Sequence, residues 1–192
     1  FVLNTQLGQV LSSLEMTNID FIDNASYSGE VALNNFDLGK FINDNKLGKI
    51  TVDAVINGKG FIEKYLDTEF EGTIKKVYYN NYYYQNILCE GNFKKPIFNG
   101  KVSVNDPNLF LDFEGKVDLS KIENSYDFNA VVDYANLYNL HFIADKTSVF
   151  KGAIDVNVNG SSANNIKGDV VISNASYQNS KDVYFFEKLI VS

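Results

Sequence analysis

Glycine recurs in this chain at positions where an alternating strand calls for a buried side chain. In LFLDFEGKVDL, 109–119, every second residue is apolar except Gly115, and the alternation resumes beyond it with its phase unchanged. The same pattern of apolar, polar, Gly, variable, apolar recurs as YSGEV at Gly29, FEGTI at Gly72, CEGNF at Gly91, FNGKV at Gly100, FKGAI at Gly152 and IKGDV at Gly168. A turn glycine would leave the following segment free to change face, so constant phase predicts strands that run through their glycines. Gly inside a strand often marks a tight bend, because it removes the side chain that would crowd the inside of the curve. Glycines in rough register on neighbouring strands would crease a sheet into a U.

Period two is clear around these crossings, as expected of a sheet with one apolar and one wet face. The apolar set comprises Phe98, Val102, Val104, Leu109, Leu111, Phe113, Val117, Leu119, Ile154, Val156, Val158, Val170 and Ile172. NDPN, 105–108, reads as a type I turn with Pro at its second position. Asn80 and Asn81 can supply the positive φ values of a two-residue hairpin, which would set Tyr79 opposite Tyr82, Tyr78 opposite Tyr83 and Val77 opposite Tyr84. Cross-strand packing accounts for that cluster better than a stacking platform for sugars or bases. Helix signals are short: NNFDLGKFINDNKLGK, capped at Asn35 or Asp37, and the ambiguous DYANLYNLHF. Asn-Ala-Ser-Tyr occurs at 24–27 and again at 174–177, as though a structural unit restarts near the C-terminus.

These features predict an all-β chain, a long and mostly antiparallel sheet curled into a U around an apolar groove, with one or two short helices. Two prolines, 12 Tyr and 15 Phe in 192 residues agree with it. Residues 1–192 read as a single segment, and the start at Phe1 suggests a piece of a longer protein.

Chemistry is sparse. The net charge is −7 and every basic residue is Lys, so the Arg forks that grip phosphates and read guanine are missing and nucleic acid is not an expected partner. His141 is the only histidine, expected to be packed or half-buried, and Cys89 is the only cysteine, read as a small buried hydrophobe. The carboxylates fall mostly on the polar parity of strands, where solvation accounts for them. No catalytic set, metal site or cofactor is assigned, and no apolar run reaches the ~18 residues of a spanning helix.

A curled sheet with apolar arms has two outcomes. Arms about 10 Å apart interdigitate as a sandwich. Arms further apart need an apolar guest, and an acyl chain of ~14 carbons gains around 10 kcal/mol at ~0.8 kcal/mol per methylene before ordering costs.

Taken in order, SGEVALNNFDLGKFI, KLGKITVDAVINGKGF, YYNNYYYQNILCEGNF, FNGKVSVNDPNLFLDFEGKVDL and VNGSSANNIKGDVVISNASYQN resemble the β-rich periplasmic region of the TamB family, within the AsmA-like group. The resemblance implies a β-taco of a bacterial envelope protein, anchored in the inner membrane by a segment absent from this sequence. It also implies phospholipid acyl chains as guests, an outer-membrane barrel assembly partner docking through regions outside this one, and no enzymatic activity. The thirteen apolar residues above would line the groove, and the seven glycines would crease it. A closed β-sandwich, adhesin-like and recognising protein or glycan, is the alternative.

Overall fold

A computed structural model describes residues 1–21, 25–60, 65–94, 96–119, 123–160 and 165–191. The fold is all-β and antiparallel, as expected from the alternation, and divides into two compact units, Phe1–Lys95 and Pro96–Ser192.

In the first unit β1 (Val2–Thr5), β2 (Gly8–Thr17), β3 (Ser26–Asp37), β4 (Leu47–Lys59), β5 (Asp67–Tyr79) and β6 (Tyr82–Lys94) form a meander, each strand paired with its chain neighbours. A five-residue helix, α1 (Leu38–Ile42), joins β3 to β4. It is the short helix expected from NNFDLGKFINDNKLGK, with Asp37 as its cap. In the second unit β7 (Ile97–Asp106), β8 (Leu109–Asp118), β9 (Ser125–Asn136), β10 (Val149–Asn159), β11 (Lys167–Gln178) and β12 (Val183–Val191) make another meander. Here β9 and β10 are joined by a run of turns rather than by the helix that DYANLYNLHF leaves open.

Each unit is thus one open sheet with a covered face and a wetter one. Strands this long and this regular need tight connections, and two of these are legible in the sequence. Asn80 and Asn81 carry φ of 48° and 66°, and the predicted pairs Tyr79–Tyr82, Tyr78–Tyr83 and Val77–Tyr84 all form. Pro107 and Asn108 close the β7–β8 hairpin, with Asp106 opposite Leu109 and accepting a hydrogen bond from the Asn108 N–H at 2.9 Å. The Asn-Ala-Ser-Tyr echo does not mark equivalent places. Ala25 precedes β3, whereas Ala175 lies near the far end of β11, so the repeat is local chemistry rather than a restarting unit; Asn24 lies outside the described residues.

Candidate functional site: two apolar sheet faces

The pairing register gathers the apolar parity of the second unit into rows running across its strands. One row is Phe98, Val117, Tyr126, Val158 and Gly168. The next holds Gly100, Gly115, Phe128, Val156 and Val170, and a third Val102, Phe113, Ala130, Ile154 and Ile172. Val104, Leu111, Val132 and Gly152 form a fourth, and Leu109, Ala135, Phe150 and Tyr177 a fifth. Val104, Ala130, Val132, Ala135, Val156 and Val158 are buried; most of the others are half-buried. Every predicted wall residue except Leu119 therefore lies on one face. Leu119 sits just past the end of β8 and is 47% exposed, its N–H bonded to the Pro96 carbonyl.

The seven glycines all lie within strands. Gly100 and Gly115 face each other directly. Gly29 and Gly91 share a row with Ile56 and Phe70 between them, and Gly72 lies two residues off that row, between Ala54 and Cys89. Gly152 sits where the register of β10 shifts against both neighbours, which makes it a bulge position. Gly168, second in β11, is exposed.

Gly115 shows what a missing side chain does here. A Cβ at this position would overlap the Cβ of Phe128 on the adjoining strand. The Phe128 ring lies 5.0 Å from that of Phe113, which is 6.2 Å from that of Phe98. These separations are those of favourable aromatic pairs, worth about 0.5–1.5 kcal/mol each beyond the area they bury. Glycine at 115 thus makes space for a line of three rings across β7, β8 and β9.

The first unit carries a second apolar face that the alternation alone did not single out. Its rows include Val31, Ala54, Gly72 and Cys89; Leu33, Val52, Ile74 and Ile87; and Phe36, Ile50, Val77 and Tyr84. Tyr27, Phe36, Ile50, Tyr84 and Ile87 are among its buried members. Strict period two misses this face because several of the strands that carry the two faces change phase, three of them at an Asn. Leu33 and Phe36, Tyr84 and Ile87, and Ile172 and Ala175 each keep the covered face across an odd interval. Asn35 (φ 50°), Asn86 (φ 53°) and Asn174 (φ 47°) lie in those intervals. A left-handed residue inside a strand bends it and reverses the facing of the residues beyond. Asn is the residue other than Gly that visits that region most readily, so an Asn interrupting a strand pattern was the available signal.

The polar residues do not converge. Cys89 is half-buried on the covered face, its thiol directed at the Gly72 carbonyl at 3.5 Å, and burial pushes its pKa up. His141 is exposed and adopts φ 62°, contrary to the packed ring expected; NLHF is a turn, and the residue it buries is Leu140, 1% exposed. The carboxyl of Asp67 is held below its ordinary range by the Asn92 amide at 2.9 Å and the Lys94 ammonium at 3.3 Å, which pins neighbouring strands. Among the described residues no three His, Cys, Asp or Glu side chains are grouped to hold a metal, and no helix is long and apolar enough to cross a membrane. In the tyrosine hairpin, Tyr78 and Tyr83 meet at 4.8 Å and Lys76 lies 4.2 Å over the Tyr83 ring, the cross-strand packing expected of it.

The class that these observations define is an open all-β sheet protein with an apolar face in each unit. No protein-family model, no curated protein and no solved structure matches the chain.

Proposed function

We propose that the chain is a non-enzymatic segment of a TamB/AsmA-like envelope protein of the bacterial periplasm, whose apolar sheet faces accept phospholipid acyl chains in transit between membranes. The observation that carries this reading is the set of ladder rows in the second unit, where aliphatic and aromatic side chains run in register across β7 to β11. A continuous apolar strip of this kind offers methylene groups a partner at every step and asks for no polar recognition, which suits a guest that slides. The sequence likeness to the TamB family supports the same reading and adds outer-membrane protein assembly as a further role of the whole protein.

The test is lipid capture. The chain would be incubated with vesicles of phosphatidylethanolamine and phosphatidylglycerol, re-isolated, and examined by native mass spectrometry for bound phospholipid. Val117→Asp puts a charge on the strip beside Tyr126 and should reduce capture at least tenfold while the far-ultraviolet circular dichroism stays that of a sheet. Capture by Val117→Asp equal to that of the unaltered chain, or no capture by the unaltered chain, would overturn the proposal.

A further inference from the structure

In the first unit, the connection between β3 and β4 and the tyrosine hairpin between β5 and β6 lie at the same end of the sheet and touch. Leu47 pairs with Tyr79, the Asn80 N–H donates to the Lys46 carbonyl, and the Tyr78 ring fills the space that a side chain at Gly48 would need. This shared end is apolar at its surface. Phe41 and Ile42 are more than half exposed, and Tyr79 and Tyr83 are exposed as well. Single exposed apolar residues are ordinary on a folded surface, whereas several gathered at one end mark a place of contact.

Charge is divided along the unit in the same way. Residues 37–49 and 76–83 hold Lys40, Lys46, Lys49 and Lys76 against Asp37 and Asp44, while the remainder of Phe1–Lys95 holds ten Asp and Glu against five Lys. One end of an acidic unit is thus positive. Its two carboxylates are occupied with N–H groups of the same connection, Asp37 with that of Lys40 and Asp44 with those of Lys46 and Leu47. The Asp37 side chain is 14% exposed against 75% for Lys40, so the ammonium is the member of that pair that solvent meets. Lys46, Lys49 and Lys76 are exposed too.

We propose that this end of the first unit docks on an anionic lipid bilayer, with Phe41 and Ile42 entering the headgroup region and the lysines on lipid phosphates. The residue types suit the depth each would reach. Phe and Ile gain by leaving water, Tyr joins an apolar ring to a polar tip, and Lys can lay its stem on apolar surface while its ammonium stays with phosphate. Attraction to anionic headgroups adds to apolar burial in contacts of this kind. Docking here uses strand ends, and it holds whether or not the covered face of the second unit carries an acyl chain. That unit supplies a comparison. Phe142 and Ile143 are exposed at its corresponding end, but 137–148 and the turn 179–182 hold Lys146 and Lys181 against Asp145 and Asp182, with no positive excess.

Co-sedimentation of the chain with vesicles tests this. Binding to equimolar phosphatidylglycerol and phosphatidylcholine should weaken roughly tenfold on phosphatidylcholine alone, and similarly at about 1 M salt, where the screening length falls to about 3 Å. Phe41→Ser with Ile42→Ser should weaken it roughly tenfold, as should Lys46→Glu, and Phe142→Ser with Ile143→Ser by about twofold at most. All these side chains are exposed, and circular dichroism checks that the sheet persists. The chain has no Trp, so Phe41→Trp reports on that position alone, and its emission should shift to the blue on the mixed vesicles. Val117→Asp keeps the test apart from lipid capture, since it should leave sedimentation unchanged. No binding, equal binding to both kinds of vesicle, equal losses from the two serine pairs, or an unshifted Phe41→Trp emission would each overturn the proposal. So would retention by double-stranded DNA in place of vesicles, or sedimentation lost in Val117→Asp and kept in Phe41→Ser with Ile42→Ser.

Discussion

The two units close one end of their sheets in the same place, between their third and fourth strands, by different means. In the first unit α1 does it with almost no apolar burial: Gly39 is its only buried residue, and Phe41 and Ile42 remain 65% and 53% exposed. Apart from an edge contact of the Phe41 ring with that of Phe36 at 5.7 Å, what holds α1 is polar. Asp37 accepts from the Lys40 N–H and faces the Lys40 ammonium at 3.0 Å, Asn43 turns the chain in the left-handed conformation with its N–H on the Gly39 carbonyl, and the Asn80 N–H reaches the Lys46 carbonyl. In the second unit the segment 137–148 buries Leu140 and Ser148 completely, and ties itself to two hairpins through Asn139 on Asn108 and Asp145 on Ser180. A plug with a side chain inside resists differently from a strap held by its backbone.

The largest effect expected from breaking the comparison is in the second unit. Leu140→Ala removes the largest fully buried side chain among the described residues. Leucine truncations in packed sites cost about 2–5 kcal/mol, depending on how far the surroundings collapse. Urea unfolding followed by amide exchange should show this loss at the adjoining ends of β9 and β10. A change below about 1 kcal/mol would mean that the hydrogen bonds of 137–148, not the leucine, close that end.

A smaller effect is expected at the corresponding place in the first unit. A Cβ on Gly39 would overlap the Leu47 carbonyl oxygen and come within 2.8 Å of the Asp44 carbonyl. Gly39→Ala therefore forces α1 away from the start of β4, at about 1–3 kcal/mol for overpacking, even though Ala is the better helix former by close to 1 kcal/mol. If Gly39→Ala stabilised the protein, helix propensity would outweigh the close approach and the strap would be looser than it looks.

The division between strands and caps also separates the features legible in the sequence from those that were not. Period two located the strands and the second unit's apolar face, because between Phe98 and Val117 the phase is never broken. Asn80 and Asn81 fixed a hairpin to the residue. The caps resisted, since neither α1 nor 137–148 is long enough to show a period, and Leu140 gives no sign that it rather than Phe142 is the buried residue. The first unit's face resisted for another reason: Asn35 and Asn86 reset the phase in mid-strand, so Phe36 and Tyr84 fall on what unbroken counting from Gly29 and Gly91 would make the wet side. Facing is a property of the backbone between side chains, and a single left-handed residue changes it without altering composition.

The smallest effect concerns the two carboxylates that pin the caps. Both are held below their ordinary range, Asp37 through the Lys40 side chain and then the Lys40 N–H, Asp145 through the N–H groups and hydroxyls of Ser180 and Thr147. A carboxyl whose folded pKa is depressed contributes its stability above the unfolded value of about 3.9, and loses it as pH falls through the folded one. Both caps should therefore persist at pH 5 and loosen only in stronger acid. Salt should separate them. Lys40 is 75% exposed, and at 1 M salt the screening length of about 3 Å is no longer than the ion pair itself, so the Asp37 pKa should climb towards its ordinary value. The donors to Asp145 are neutral, so its pKa should hardly move. Carboxyl carbon shifts titrated by NMR at low and high salt would read both groups at once. If Asp145 climbed as far as Asp37, its depression would owe more to the field of nearby charges than to the hydrogen bonds that join 137–148 to the β11–β12 turn, and Asp145→Asn should then leave the cap in place.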